Sequence, residues 1–233
     1  MPADANHTTH HTAATWQLCS ERCLTLFLPK PVTLEQQQLC WYWAEAIPAL
    51  TGVGQWVAET VVGMNTLSVY THALSTAELR QLHHALQDFT DHTRTPKQLD
   101  GQHIKIPVRY GGEYGPDLAA AAALKNLSIG ELVTQHTQPI YTVYFIGFQP
   151  GFPYLGGLPA TLHMARHATP RKQVPAGSVG IGGEQTGIYP FASPGGWQLL
   201  GRTDLPLFDI TKPQPTLLKA GDTLQFVAVE VIE

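Results

Sequence analysis

Residues 147–159 read GFQPGFPYLGGLP. A run this dense in glycine and proline cannot continue a helix, because proline lacks the donor N–H and its ring clashes with the preceding turn. Nor can it be a central strand, whose ladder needs that N–H. It predicts an ordered turn anchored by Phe148, Phe152, Tyr154 and Leu155. Two uses fit it: a loop whose bare backbone a ligand or partner approaches closely, or a tight barrel corner. The texture persists, since 12 of the 21 glycines lie between Gly147 and Gly201. Short strands fit between the turns at residues 178–181, 187–189, 197–200 and 207–210. Residues 220–222 turn into a last strand over 223–231. Upstream, Ile104, Ile106 and Val108 alternate as a strand does. Pro116 and Asp117 open an Ala-rich helix, Ser128 and Glu131 cap another, and residues 141–148 are strongly β. Many short strands with Gly/Pro turns predict a closed all-β barrel over 101–233.

Residues 15–95 have a different texture. Residues 15–28 read as one strand, with Leu24, Leu26 and Leu28 alternating. Thr33 with Gln36, and Ser75 with Glu78, have capping-box spacing. The first box leads into Leu39, Trp43 and Ile47, and Pro48 and Gly52 end that helix. The second leads into Leu79, Leu82, Leu86 and Phe89 on one helical face. Two strands, 55–62 and 66–70, lie between. The order strand–helix–strand–strand–helix predicts a ferredoxin-like α+β domain. Residues 94–100 carry Pro96 without periodicity and read as the linker. Residues 1–14 read as a disordered tail, whose His7, His10 and His11 lack the surroundings that fix metal ligands.

Composition narrows the function classes. The net charge of −4, without a basic block, argues against nucleic-acid binding. No stretch approaches the ~18 apolar residues that cross a bilayer. Cys19, Cys23 and Cys40 form neither a disulfide framework nor a zinc knuckle, and no metal site is expected. These features point to the cytoplasm. Only 14% of residues are charged, so part of the surface is expected to face a partner.

Residues 170–187 place glycines beside Ser178, Gln185 and Thr186. Such a stretch can aim backbone N–H groups at an anion, with Arg171 completing a phosphate or carboxylate site. It is not a Walker A loop, because no Gly-Lys-Ser/Thr follows at the required spacing. A hairpin with surface charges fits equally. In residues 189–203, Tyr189 and Trp197 read as an aromatic wall or as core. Arg202 reads as a second anion holder or as a salt-bridge partner. His136 ends a short helix, either as a general base or as a side chain bonded to backbone carbonyls.

Residues 147–158, 170–187 and 188–203 resemble the family that includes the 5-oxoprolinase B subunit, the sporulation kinase inhibitor KipI and allophanate hydrolase subunit 1. Further matches lie at 106–108, 115–118, His136, 207–209 and 220–222, so the likeness covers most of 14–230. Departures are Ala165, where the family often has Pro; Gly182, where Ala is frequent; and Met64-Asn65-Thr66, where an aromatic-Arg-Ser is usual.

The resemblance implies a cyclophilin-like barrel after a small α+β domain. It implies partnership with the KipA-like C subunit and the A subunit of 5-oxoprolinase, in a complex that opens 5-oxo-L-proline to L-glutamate while hydrolysing ATP. ATP, with Mg, is then a cofactor of the complex and is not assigned to this chain. On that reading His136 and Gln185 orient water or the ring amide. Arg171, Gly177, Ser178, Thr186, Gly187, Tyr189 and Arg202 hold substrate or phosphate. The alternatives within the family are a KipI-like inhibitor of histidine-kinase autophosphorylation and half of a urea or allophanate carboxyltransferase or hydrolase.

Overall fold

A computed structural model describes residues 14–233. The tail and its three histidines lie outside the described residues. The chain divides into two compact units, the first ending at Lys97 and the second running Gln98–Glu233.

The first unit holds β1 (Thr15–Ser20), β2 (Cys23–Phe27), α1 (Leu34–Ala46), β3 (Val57–Gly63), β4 (Thr66–Thr71) and α2 (Thr76–His92). Its sheet runs β1-β2-β4-β3 with every neighbouring pair antiparallel. Both capping boxes form as spaced in the sequence, on α1 and on α2. The apolar faces of the helices close on the sheet, burying Trp16, Leu24, Leu26, Trp43, Leu82 and Leu86. Each such side chain contributes about 1.5–3 kcal/mol. In the β3–β4 turn, Asn65 takes φ +57°. Its amide donates to the carbonyls of Leu28 and Pro29 at 2.7 and 3.0 Å, and asparagine tolerates this left-handed conformation well.

The second unit holds β5 (His103–Gly111), α3 (Leu118–Leu124), α4 (Ile129–Thr137), β6 (Tyr141–Ile146), β7 (Pro153–Gly156) and β8 (Arg171–Val174). It continues with β9 (Ser178–Gly182), β10 (Gln185–Ile188), β11 (Ser193–Gly195), β12 (Gln198–Arg202) and β13 (Thr223–Ile232). Seven strands close a barrel in the order β10-β7-β6-β13-β5-β12-β9, and β11 pairs with β8 apart from it. β13 joins residues far apart in sequence by lying parallel to β5. Asp222, fully buried, fixes the turn into β13 by accepting the N–H groups of Gln102 and Lys219, each at 2.9 Å.

The expected fold class, a ferredoxin-like domain followed by an all-β cyclophilin-like barrel, is overturned. The polar stretch Ser20-Glu21-Arg22 breaks the first predicted strand into the β1–β2 hairpin. An all-antiparallel β1-β2-β4-β3 sheet is not a split βαβ unit. The second unit is not all-β either. α3 and α4 bury Leu118, Leu132 and Val133 in the barrel core, and one barrel pair is parallel. The architecture is a mixed sheet and barrel. The strand expected at 207–210 reduces to a single bridge between Phe208 and Thr216.

Candidate functional site

The glycines of the 147–201 block make room for the protein's own rings. A Cβ on Gly182 would lie 2.5 Å from Trp197 Nε1, and one on Gly195 would lie 2.5 Å from the Tyr189 hydroxyl. A Cβ on Gly187 would meet both the Phe152 and Trp197 rings at 3.1 Å. Gly182, one of the departures from the family pattern, thus has a local role. The rings form an edge-to-face cluster: Phe152–Trp197 at 5.5 Å, Phe152–Tyr189 at 5.3 Å and Tyr189–Trp197 at 6.3 Å between centroids.

These three rings are the buried floor of a pocket of about 240 Å³. Its rim carries Phe148, Arg166 and Pro194, all exposed. The Arg166 guanidinium lies 5.7 Å from the Trp197 ring centroid. Burial raises the pKa of the Tyr154 and Tyr189 hydroxyls, and the Arg166 charge opposes that rise at both. Arg166 thus belongs to the pocket lining by its position. Phe148 holds φ +64° and is 62% exposed, an unusual conformation for a bulky residue.

A second groove, of about 300 Å³, is lined by Arg109, Arg202, Asp204, Leu205, Pro206 and Val229. Arg109 and Arg202 are register partners across β5 and β12. Their guanidinium carbons lie 4.3 and 4.6 Å from the Tyr114 ring centroid. Asp204 pairs with Arg109, and no ion pair of Arg202 is found among the described residues.

Arg171 lies elsewhere. It pairs with Asp117, a 6% exposed carboxylate that also accepts the Leu199 N–H at 2.6 Å and contacts His167 Nε2 at 3.3 Å. Asp117, an ordinary turn aspartate by its sequence context, ties the start of α3 to β12. Its partner Arg171 is thereby largely neutralised, and its Nη1 is buried without a partner. Arg171 and Arg202 share none of the described pockets.

His136 lies away from both pockets. It is fully buried, stacked on Phe226 at 4.6 Å, and enclosed by Tyr110 and Tyr141. Thr186 donates its hydroxyl to the Gly180 carbonyl at 3.0 Å, so it accepts from His136 Nε2 at 2.9 Å. His136 Nδ1 then accepts the Tyr110 hydroxyl at 2.8 Å. Every member is satisfied with the ring neutral, and burial pushes its pKa down to about 3. Thr186 and Ser178 are as closed to solvent as His136, at 0% and 1% exposure.

The backbone donors expected from residues 177–187 are spent on the barrel. Gly182, Ile181, Gly180 and Val179 pair with Gln185, Thr186, Gly187 and Ile188 in the β9–β10 ladder, and the Gly177 N–H bonds Tyr189. Gln185 remains an open candidate, because its Nε2 is buried without a partner. Arg109 and Arg166 had no local sequence signal. Only the β5–β12 register and the fold around Trp197 bring them to their sites.

The family described as "Carboxyltransferase domain, subdomain C and D" matches residues 14–218. The chain is 49% identical to the 5-oxoprolinase B subunit of Haemophilus influenzae, over 92% of this chain and 97% of that one. Among solved structures, the crystal structure of TTHA0988 superposes with a TM-score of 0.71 at 32% identity, covering 90% of this chain. The chain spans 40% of that protein's length. Kluyveromyces lactis urea amidolyase superposes with a TM-score of 0.74 at 17% identity, over 93% of this chain and 15% of that one. That likeness is one of fold alone. With the family match along nearly all described residues and a close relative along almost its whole length, the chain belongs to the carboxyltransferase subdomain C and D family, in the branch of the 5-oxoprolinase B subunits.

Proposed function

We propose that this chain is the B subunit of a cytoplasmic, ATP-dependent 5-oxoprolinase complex that opens 5-oxo-L-proline to L-glutamate. The observation carrying this reading is the identity with the Haemophilus influenzae protein along 97% of its length. A protein named for its place among subunits has further chains beside it, which we take to be the C and A subunits of the same enzyme.

A lactam carbonyl is a weak electrophile. Transfer of the ATP γ-phosphoryl group to the amide oxygen would activate it. Water then attacks the ring carbon and the C–N bond breaks, leaving an acyl phosphate. A second water releases the phosphate. In the net reaction lactam, ATP and two waters become glutamate, ADP and phosphate. The phosphate and the developing oxyanion need fixed cations and donors. Arg202, held on Tyr114 beside Arg109 in a groove separate from the Trp197 pocket, is the side chain we assign to a nucleotide phosphate, and the Gln185 amide is a candidate donor. Arg171, already bound to Asp117, is assigned to the scaffold.

Co-expression with the two other subunits, followed by an ATP-dependent glutamate-release assay, tests the proposal. The complex should release glutamate and ADP in equal amounts, and the isolated chain should release neither. A complex that leaves 5-oxoproline intact but blocks a histidine kinase, or carboxylates urea with biotin, would overturn it.

A further inference from the structure

We infer that the pocket floored by Phe152, Tyr189 and Trp197, with Arg166 on its rim, binds a small ring carrying one carboxylate. Resting on the proposed function, this ring is 5-oxoproline itself.

Size is the first argument. At about 240 Å³ the pocket lies below the ~300–1,000 Å³ typical of sites for drug-sized ligands, so it selects something smaller. Shape is the second. The floor consists of buried rings whose packing is fixed by glycines that cannot accept a Cβ without collision. A flat, small ring can lie against such a floor with little loss of conformational freedom. Charge is the third. Arg166 is exposed over the Trp197 ring, and its charge reaches two hydroxyls of the pocket wall. A guanidinium offers a planar fork that matches a carboxylate. Strain is the fourth. A bulky rim residue held at positive φ costs on the order of 1–3 kcal/mol, and such residues cluster at ligand clamps. Phe148 has that conformation, is 62% exposed, and stands edge-on to both Phe152 and Tyr189. Packing alone does not account for an exposed phenyl and an exposed guanidinium at the mouth of a finished aromatic core.

Ligand-observed NMR on the reconstituted complex without ATP provides the binding test, using 5-oxo-L-proline and 2-pyrrolidinone, the same ring without the carboxylate. The wild type should bind 5-oxoproline about tenfold or more tightly than 2-pyrrolidinone, the size of one charge-assisted pair. Arg166→Gln should lose that discrimination while melting as the wild type does, and Arg166→Lys should restore part of it. In turnover, Arg166→Gln should raise KM about tenfold and leave kcat within about threefold. An active complex whose Arg166→Gln variant keeps both its KM and its discrimination would overturn the pocket assignment and leave the proposed function standing. A complex inactive as wild type would overturn the proposed function, and the binding comparison would still decide the pocket. Equal binding of the two rings by the wild type would overturn the carboxylate claim.

Discussion

The His136 cluster and the Trp197 cluster lie in the same unit and are built from the same parts, aromatic rings around one basic side chain. Around His136, the rings of Tyr110, Tyr141 and Phe226 close completely, and each polar atom of the imidazole has a partner. Around Trp197, the rings make a floor and the cation stays at an open rim. A satisfied, sealed polar group stabilises a fold and is lost to chemistry. A rim cation keeps its donors for a ligand. The difference is one of burial, which residue type alone does not reveal.

Removing the sealed group should have the largest effect. His136→Ala leaves the Tyr110 hydroxyl without its acceptor and opens a cavity beside Phe226, at a cost of about 3–5 kcal/mol in denaturant unfolding. A loss under about 1 kcal/mol would mean the cluster is not sealed.

A pH series sharpens the same contrast. His136 is neutral in the folded chain down to about pH 3, whereas an unfolded histidine titrates near 6.5. Below about 6.5 the unfolded chain binds the extra proton. The stability from His136 is therefore full above that pH and falls as pH drops from there toward 3. The slope reaches up to about 1.4 kcal/mol per pH unit. Comparing wild type with His136→Gln between pH 6.5 and 4 isolates it, and identical slopes would refute the buried neutral ring.

On the open side, Gly195→Ala should cost about 1–3 kcal/mol, because the new methyl meets the Tyr189 hydroxyl at 2.5 Å. The near-ultraviolet circular dichroism should change with it, as the Tyr189–Trp197 pair shifts. The smallest effect on the fold belongs to Arg202→Ala, expected within about 0.5 kcal/mol of wild type by thermal melting.

What the sequence disclosed follows the range of the forces involved. Three capping boxes, at Thr33, Ser75 and Ser128, were legible because each is closed by residues three apart. Of the strands in the Gly/Pro-rich block, β9, β10 and β12 were legible because turns punctuate them, whereas β8 and β11 were not, and β7 corrects the reading of residues 147–159 as a turn by placing Pro153–Gly156 in the barrel between β10 and β6. The parallel pairing of β13 with β5 was not, since it joins His103 to Thr223 and leaves no local mark. The β1–β2 hairpin was hidden because the apolar alternation resumes across a short polar break. His136 drew attention as a possible base because a sequence carries no direct measure of burial. Arg166 drew none, because the ring it faces lies 31 positions further along the chain.

The most direct test of the functional arginine groove against the sealed, structural core is the kcat/KM of the reconstituted complex at pH 7. It should be measured for Arg202→Ala and His136→Gln and corrected for the folded fraction. Arg202→Ala should fall on the order of 100-fold with an unchanged Tm. His136→Gln should melt lower yet keep kcat/KM within about threefold per folded molecule. A His136→Gln complex that is fully folded and inactive, beside an Arg202→Ala complex with normal turnover, would contradict the account.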